Sequence, residues 1–197
     1  MYYNKNNKGF TLIELLVVIA IVAVLSVVVI LTLNPAELLK QARDSNRISD
    51  MSTMRSAISL YLSDVNSPFI GTSTLCYFSA SAATTAAAGC GFFLGSQAAV
   101  SSTNRGVGVS GAAAGNGWIP VNFTSISSGA PIGNEPIDPV NNASYLYGYV
   151  NTTTSLQFEL DAYMESTKYN VTAGSAVVNN DGGDKSNAYE SGTILTQ

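Results

Sequence analysis

The sequence contains no histidine. That absence removes the commonest general base and the commonest metal-ligating side chain together. Charge is also scarce: Asp, Glu, Lys and Arg make up 11% of the chain, with 13 acidic residues against 9 basic ones. A net charge of −4 argues against broad contact with nucleic-acid phosphates, so nucleic acid is not an expected partner. Cysteine occurs twice, at Cys76 and Cys90, too few without histidine for a zinc site. Gly-x-Ser-x-Gly is missing and so is a glycine-rich phosphate loop, which leaves an enzyme without a recognisable motif and a catalytic site without a candidate. No internal repeat is visible, which excludes solenoids. Ser, Thr, Asn, Ala and Gly fill the space that charged residues leave, the surface composition of an exported protein.

Against these absences stands one long apolar run. Between Phe10 and Leu33 the single ionisable side chain is Glu14. A helix over this stretch would reach about 36 Å, enough to cross a bilayer core of about 30 Å. A carboxylate at that depth costs about 3 kcal/mol or more, so it needs a reason to be there. Lys5 and Lys8 precede the run, which keeps the short N-terminus in the cytoplasm and sends the remainder across. A secretory signal has an apolar core of about 7–15 residues and a small-residue cleavage site after it, and neither fits here.

Gly9-Phe10-Thr11-Leu12-Ile13-Glu14, set between a basic leader and the apolar run, resembles the processing signature of type IV prepilins and pseudopilins. The resemblance implies cleavage between Gly9 and Phe10 by prepilin peptidase and N-methylation of the new terminal Phe10. It also implies that Glu14 is the assembly residue. Its implied partners are copies of the chain and other pilins in a helical filament, the peptidase and a membrane-embedded assembly machinery. The implied location is a single-pass cytoplasmic membrane protein that later joins an extracellular filament. The implied fold is α+β and pilin-like: a long N-terminal membrane-spanning helix packed on a C-terminal antiparallel sheet. A type II secretion pseudopilin shares every one of these features. A membrane-anchored binding domain that never polymerises is the alternative of a different class.

On that reading residues 1–9 form the leader and 10–33 the membrane half of the helix. Residues 34–66 form its amphipathic half and 67–197 the head, with a variable loop over 67–130 and a sheet and C-terminal loop over 131–197. Asn34-Pro35-Ala36-Glu37 predicts a kink or a fresh helix start, with Asn34 as cap and Glu37 closing a capping box. A continuous helix over 10–66 would reach about 85 Å. Leu38, Ala42, Ser45, Ile48, Met51, Ile58, Leu62 and Val65 recur at helical spacing and predict the buried stripe. Lys40, Arg43, Asp44, Arg47, Asp50 and Arg55 fall mostly off it, as a solvated face or a contact between subunits. Asp44 can pair with Lys40 and with Arg47 along the helix.

In the head, Phe92-Phe93-Leu94 and Trp118-Ile119-Pro120-Val121 are expected to anchor an otherwise small-residue region. Tyr145–Val150 and Leu156–Ala162 alternate and predict an antiparallel hairpin with Glu159 and Asp161 on its exposed face. Val171–Val178 and Ile194-Leu195 read as weaker strands. Cys76 and Cys90 lie on the exported side, where a bridge closing a 15-residue loop would contribute about 3 kcal/mol. Two buried thiols or an intermolecular link remain open. Asn179–Asn187 gathers oxygen donors on a glycine-bent loop that resembles the calcium loop of major pseudopilins. Asp181, Asp184 and Asn187 are its candidate Ca2+ ligands, although EF-hand spacing is absent and a plain polar turn is the alternative. No other cofactor is expected.

Overall fold

The computed structural model describes residues 9–73, 75–79, 99–100, 117–142, 144–152, 154–170, 177–185 and 188–195. It divides into two compact units, Met1–Leu39 and Lys40–Gln197.

The first unit is built on helix α1, Leu12–Leu33. Its β-branched and leucine side chains offer no polar face, and all residues of Leu12–Ile30 are solvent-exposed in the isolated chain. The helix stops at Asn34, whose backbone is left-handed with φ at 41°. Asparagine tolerates that conformation better than most residues. Helix α2, Pro35–Asp64, starts at the next residue. The Asn34 carbonyl accepts the amides of Glu37 and Leu38 at 3.0 and 3.3 Å. The fresh helix start expected at Asn34-Pro35 is present: two helices meet at a break at Asn34, and no continuous helix runs over 10–66.

In the second unit α2 packs on a five-stranded sheet. The strands are β1 (Leu75–Phe78), β2 (Ala99–Val100), β3 (Tyr147–Thr152), β4 (Gln157–Tyr163) and β5 (Ala188–Gly192), in the order β2-β1-β3-β4-β5. The four strands β1, β3, β4 and β5 pair antiparallel, and β2 adds a short parallel edge. The fold is thus α+β and pilin-like. The hairpin β3–β4 joins Tyr147 to Ala162 through Thr152 to Gln157, close to the alternation read in the sequence. One face of it, Tyr147, Tyr149, Phe158, Leu160 and Ala162, meets Met51, Met54, Ala57, Ile58 and Tyr61 of α2. Trp118, Ile119 and Val121 are fully buried in the same core, as the anchor reading required. Phe92-Phe93-Leu94 lies outside the described residues.

Four expectations need correction. The buried stripe of α2 runs through Asp44, Arg47, Met51, Met54, Ala57, Ile58 and Tyr61, while Leu38, Ala42 and Ser45 are exposed. The N-terminal half of the stripe is rotated because ionic partners, not apolar ones, receive it. Glu159 and Asp161 are not on an exposed strand face: both are fully buried, so β4 is covered on both sides. Ile194-Leu195 is not a strand; β5 precedes it at Ala188–Gly192, where no apolar alternation marks it. Val177–Asn179 is a turn of 3-10 helix, and residues 171–176 of the other expected strand lie outside the described residues.

The ionic part of the α2 face centres on Arg47. Its Nε and Nη2 donate to the two carboxylate oxygens of Asp138 at 2.6 and 2.9 Å, and its Nη1 donates to Asp44 at 2.7 Å. Nη2 also lies 2.6 Å from Glu165. Asp44 in turn accepts the amides of Glu165 and Ser166 and the Ser166 hydroxyl, at 2.6–2.9 Å. Arg43 forks onto Glu165 at 2.8 and 2.6 Å. The guanidinium of Arg47 stands 5.2 Å from the centre of the Tyr145 ring. The Asp44–Arg47 pair read in the sequence exists, but inside the protein. Glu165 is pulled up by burial and more strongly down by its two arginines, so its carboxyl sits below its ordinary value.

A second buried carboxyl faces no cation among the described residues. Glu135 Oε2 accepts the amides of Trp118 and Ile119 at 2.6 and 2.9 Å, and burial pushes this carboxyl up to about 8.

Two outcomes follow from these groups. Removing Arg47 leaves buried carboxylates uncompensated, so Arg47→Ala should cost about 3–5 kcal/mol in denaturant unfolding of the full chain in detergent. Arg47→Lys should recover little of it, because an ammonium cannot fork to three carboxylates. A loss below about 1 kcal/mol, the size of an exposed pair, would show that the cluster does not hold α2. For Glu135 the folded-state value is raised. Its contribution is complete below the unfolded value and is lost as pH rises through about 8. The melting temperature should therefore fall between about pH 6 and 9, and Glu135→Gln should flatten part of that slope. With no histidine to titrate there, an unchanged slope in the variant would assign the effect to other carboxyls.

Candidate functional site

The sequence places its most specific signal at the start of α1, and the backbone there has two distinct parts. Gly9 and Phe10 are irregular and exposed, with Phe10 82% accessible. A Cβ added at Gly9 would meet nothing within 4 Å. No neighbour within the described chain requires glycine at this position.

The helix then begins with a reciprocal capping box. The Thr11 amide and hydroxyl both donate to Glu14 Oε2, at 2.9 and 2.8 Å, and the Glu14 amide donates to Thr11 Oγ1 at 3.3 Å. Two of the unpaired N–H groups of the first turn are thereby satisfied, and an acid sits at the positive end of the helix. The Thr-x-x-Glu spacing before an apolar run is the local signal of this box, in addition to the Asn34 and Glu37 signal at the start of α2. Glu14 is exposed and one turn from Phe10, on the same helix face. Its carboxylate is held by its own Thr11 and open on the side away from the helix. The remaining apolar side chains of α1 are half exposed or more, for instance Leu12 at 81% and Ile30 at 61%. Water is a poor solvent for such a rod, and lipid or other apolar helices are suitable ones.

The expected calcium residues are placed less simply. Asp181 Oδ1 accepts the Gly183 amide at 3.0 Å and Oδ2 accepts the Glu190 amide at 2.8 Å, which ties the loop to β5. Asp184 is paired with Lys185 at 3.0 Å. Asn187 lies outside the described residues. Beneath this loop stands a group of acids that includes Glu159 and Asp161, which strand alternation alone puts on the surface. One carboxylate oxygen each from Glu159, Asp161 and Glu190 lies within 4.8 Å of the others, and all three residues are buried. Asp161 and Glu190 face each other across the β4–β5 ladder, and Glu159 is two residues along β4. The Lys185 amide donates to Glu190 Oε2 at 2.8 Å. Burial pushes the Asp161 carboxyl well up, reinforced by the charges of Glu159 and Glu190, and burial raises Glu190 too. Acidic alternation in β4 was the available signal, but nothing local shows that the far face of a sheet is covered.

Cys76, on β1, is half of a disulfide. Cys90 lies outside the described residues. Asn122, Asn142, Asn151 and Asn170 each open an Asn-x-Ser/Thr glycosylation sequon, and of these Asn151 is buried in β3 and closed to a transferase.

Compared with known proteins, residues 4–30 match the family model described as the prokaryotic N-terminal methylation motif. This is the signature of type IV pilins and pseudopilins, and it supports a pilin-like or pseudopilin precursor. The signature marks a structural family, not an enzymatic one, and with the apolar helix it fits a membrane-anchored protein. No curated protein and no solved structure matches the chain.

Proposed function

We propose that the chain is a structural subunit of a type IV pilus or pilus-like filament. In this reading it enters the cytoplasmic membrane with its N-terminus inside, is cut between Gly9 and Phe10, and is methylated on Phe10. It then polymerises through α1 with copies of itself and related pilins, handled by a membrane-embedded assembly machinery. The observation that carries the reading is the exposed apolar rod with one carboxylate, Glu14, at its start, directly after an accessible Gly9–Phe10 bond. A rod of this kind has two suitable environments in turn, lipid before assembly and neighbouring rods after it.

Glu14 supplies the register. In a bundle of such helices its charge is costly unless a cation reaches it. Cleavage creates one at the amine of Phe10. Glu14 lies one turn deeper on the same face, so a neighbour shifted axially by about one turn, roughly 5.4 Å, brings its Phe10 amine level with this carboxylate. Thr11 holds the carboxylate in place through Oε2 and leaves the acid oriented before the neighbour arrives.

The capping box makes this testable in a way a simple deletion is not. Glutamine closes a capping box as glutamate does but carries no charge. Glu14→Gln should insert and be cleaved normally, keep the helix start and lose filament assembly as fully as Glu14→Ala. Filament counts at equal membrane levels of processed protein measure this. If Glu14→Gln assembles like the unsubstituted chain while Glu14→Ala does not, the residue acts through capping and not through charge. Gly9→Val should accumulate the uncleaved precursor, read by intact mass, with the fold of the second unit unchanged. Normal cleavage of that variant would remove the processing assignment.

A further inference from the structure

The three carboxylates on the far face of the sheet are not used by the filament reading, and they are hard to understand as a packing device. Glu159, Asp161 and Glu190 are each no more than 1% exposed. Among the described residues neither oxygen of Asp161 accepts a hydrogen bond, and Glu190 Oε1 accepts none. Buried acceptors are rarely left this way, since each costs about 1–3 kcal/mol unless a donor or a cation reaches it. Lys185 Nζ lies 3.0 Å from Asp184, and its charge also acts on Glu159, Asp161 and Glu190, one positive charge shared among four carboxyls. The Lys185 amide donates to Glu190 Oε2. The surrounding frame is fixed: Asp161 and Glu190 are paired in a sheet ladder, and Asp181 anchors the covering loop by accepting the Glu190 amide. Gly183 lies so close that a Cβ there would run into the Glu190 carboxylate.

We infer that Glu159, Asp161 and Glu190 form a binding site for one divalent hard cation of the calcium class, with the open oxygens of Asp161 and Glu190 as its principal ligands. The donors are all oxygens, with neither thiolate nor imidazole, which selects calcium, magnesium or manganese over zinc and copper. Carboxylates that bind through one or both oxygens suit the variable coordination of calcium, while magnesium demands a near-ideal octahedron. The ion would join β4 to β5 and brace the loop 181–185 from below. This site is distinct from the loop residues Asp181 and Asp184, whose carboxylates point into loop contacts. The inference stands apart from the filament reading and holds or fails whether or not the chain polymerises.

The test uses the full chain in detergent micelles and calcium itself as probe. Equilibrium dialysis should find one calcium per chain, with a dissociation constant of about 0.1–1 mM. Calcium should raise the melting temperature by several degrees over chelator. Asp161→Asn and Glu190→Gln should each weaken binding at least about tenfold, and Asp184→Asn should leave it unchanged. Both substitutions remove charge from a crowded group, so the variants should fold at least as well as the parent without calcium. Three results would overturn the site: no binding at about 10 mM calcium, binding that survives both Asp161→Asn and Glu190→Gln, or binding lost in Asp184→Asn. In the first case Asp161→Asn would still raise the melting temperature, and protons shared among the carboxyls would be what holds the cluster.

Discussion

The head depends on one buried cation. Arg47 joins α2 to two loops that are far away in sequence, through Asp138 and Glu165, and to its own helix through Asp44. Desolvating such groups is expensive, and a well-packed apolar substitute is often as stable. What the cluster supplies is position. A guanidinium fork accepts few arrangements of carboxylates, so α2 has one rotation that satisfies Asp138, Asp44 and Glu165 together. That rotation faces Met51, Met54, Ile58 and Tyr61 toward the sheet and leaves Leu38 and Ala42 outside. The aromatic core follows: Trp118 near Tyr147, Tyr149 on Phe158, and Tyr61 edge-on to Phe123.

The two faces of the sheet solve different problems. Toward α2, apolar packing closes the core and polar atoms find partners, as Tyr147 does with Asp50 at 2.6 Å and Tyr149 with the Ile70 carbonyl at 2.7 Å. The other face carries apolar Cys76, Phe78, Leu146, Val150 and Ala188 beside three carboxylates. A protein without histidine has few ways to hold buried acid. Here one group of carboxylates takes arginine and one carboxyl takes backbone amides, while among the described residues both oxygens of Asp161 and Oε1 of Glu190 accept no hydrogen bond. The contrast between Asp138, with both oxygens bonded by Arg47, and Asp161, with neither oxygen bonded among the described residues, separates a structural acid from a candidate ligand.

The first unit lives by the opposite rule. Nothing in Leu12–Ile30 is buried, and these side chains make no core. The polar side chains of α1 bond within the helix: the Thr11–Glu14 box closes one end, and the Ser26 and Thr32 hydroxyls fold back to the carbonyls of Val22 and Val29. Those hydroxyls are thereby removed from the apolar surface, which leaves Glu14 as the helix's distinctive outward group.

The sequence alone determined what depends on local composition and spacing. An apolar run of that length must be a helix in lipid or among helices, because only there are its backbone and side chains both satisfied. The Gly9–Glu14 signature, the end of α1 at Asn34-Pro35 and the alternation of β3 and β4 are also local facts. Tertiary structure decided whatever depends on who stands opposite. Asp44 and Arg47 read as surface charges because their spacing is that of a solvated pair, and Asp138 was visible only as part of a turn; their meeting spans 91 residues. Glu159 and Asp161 read as outward because alternation reports which side chains share a face, not whether that face is covered. Strand β5 has no periodic signal and exists because β4 offers it an edge. A buried charge is legible in sequence only when its partner is near in the chain, and most of these partners are not.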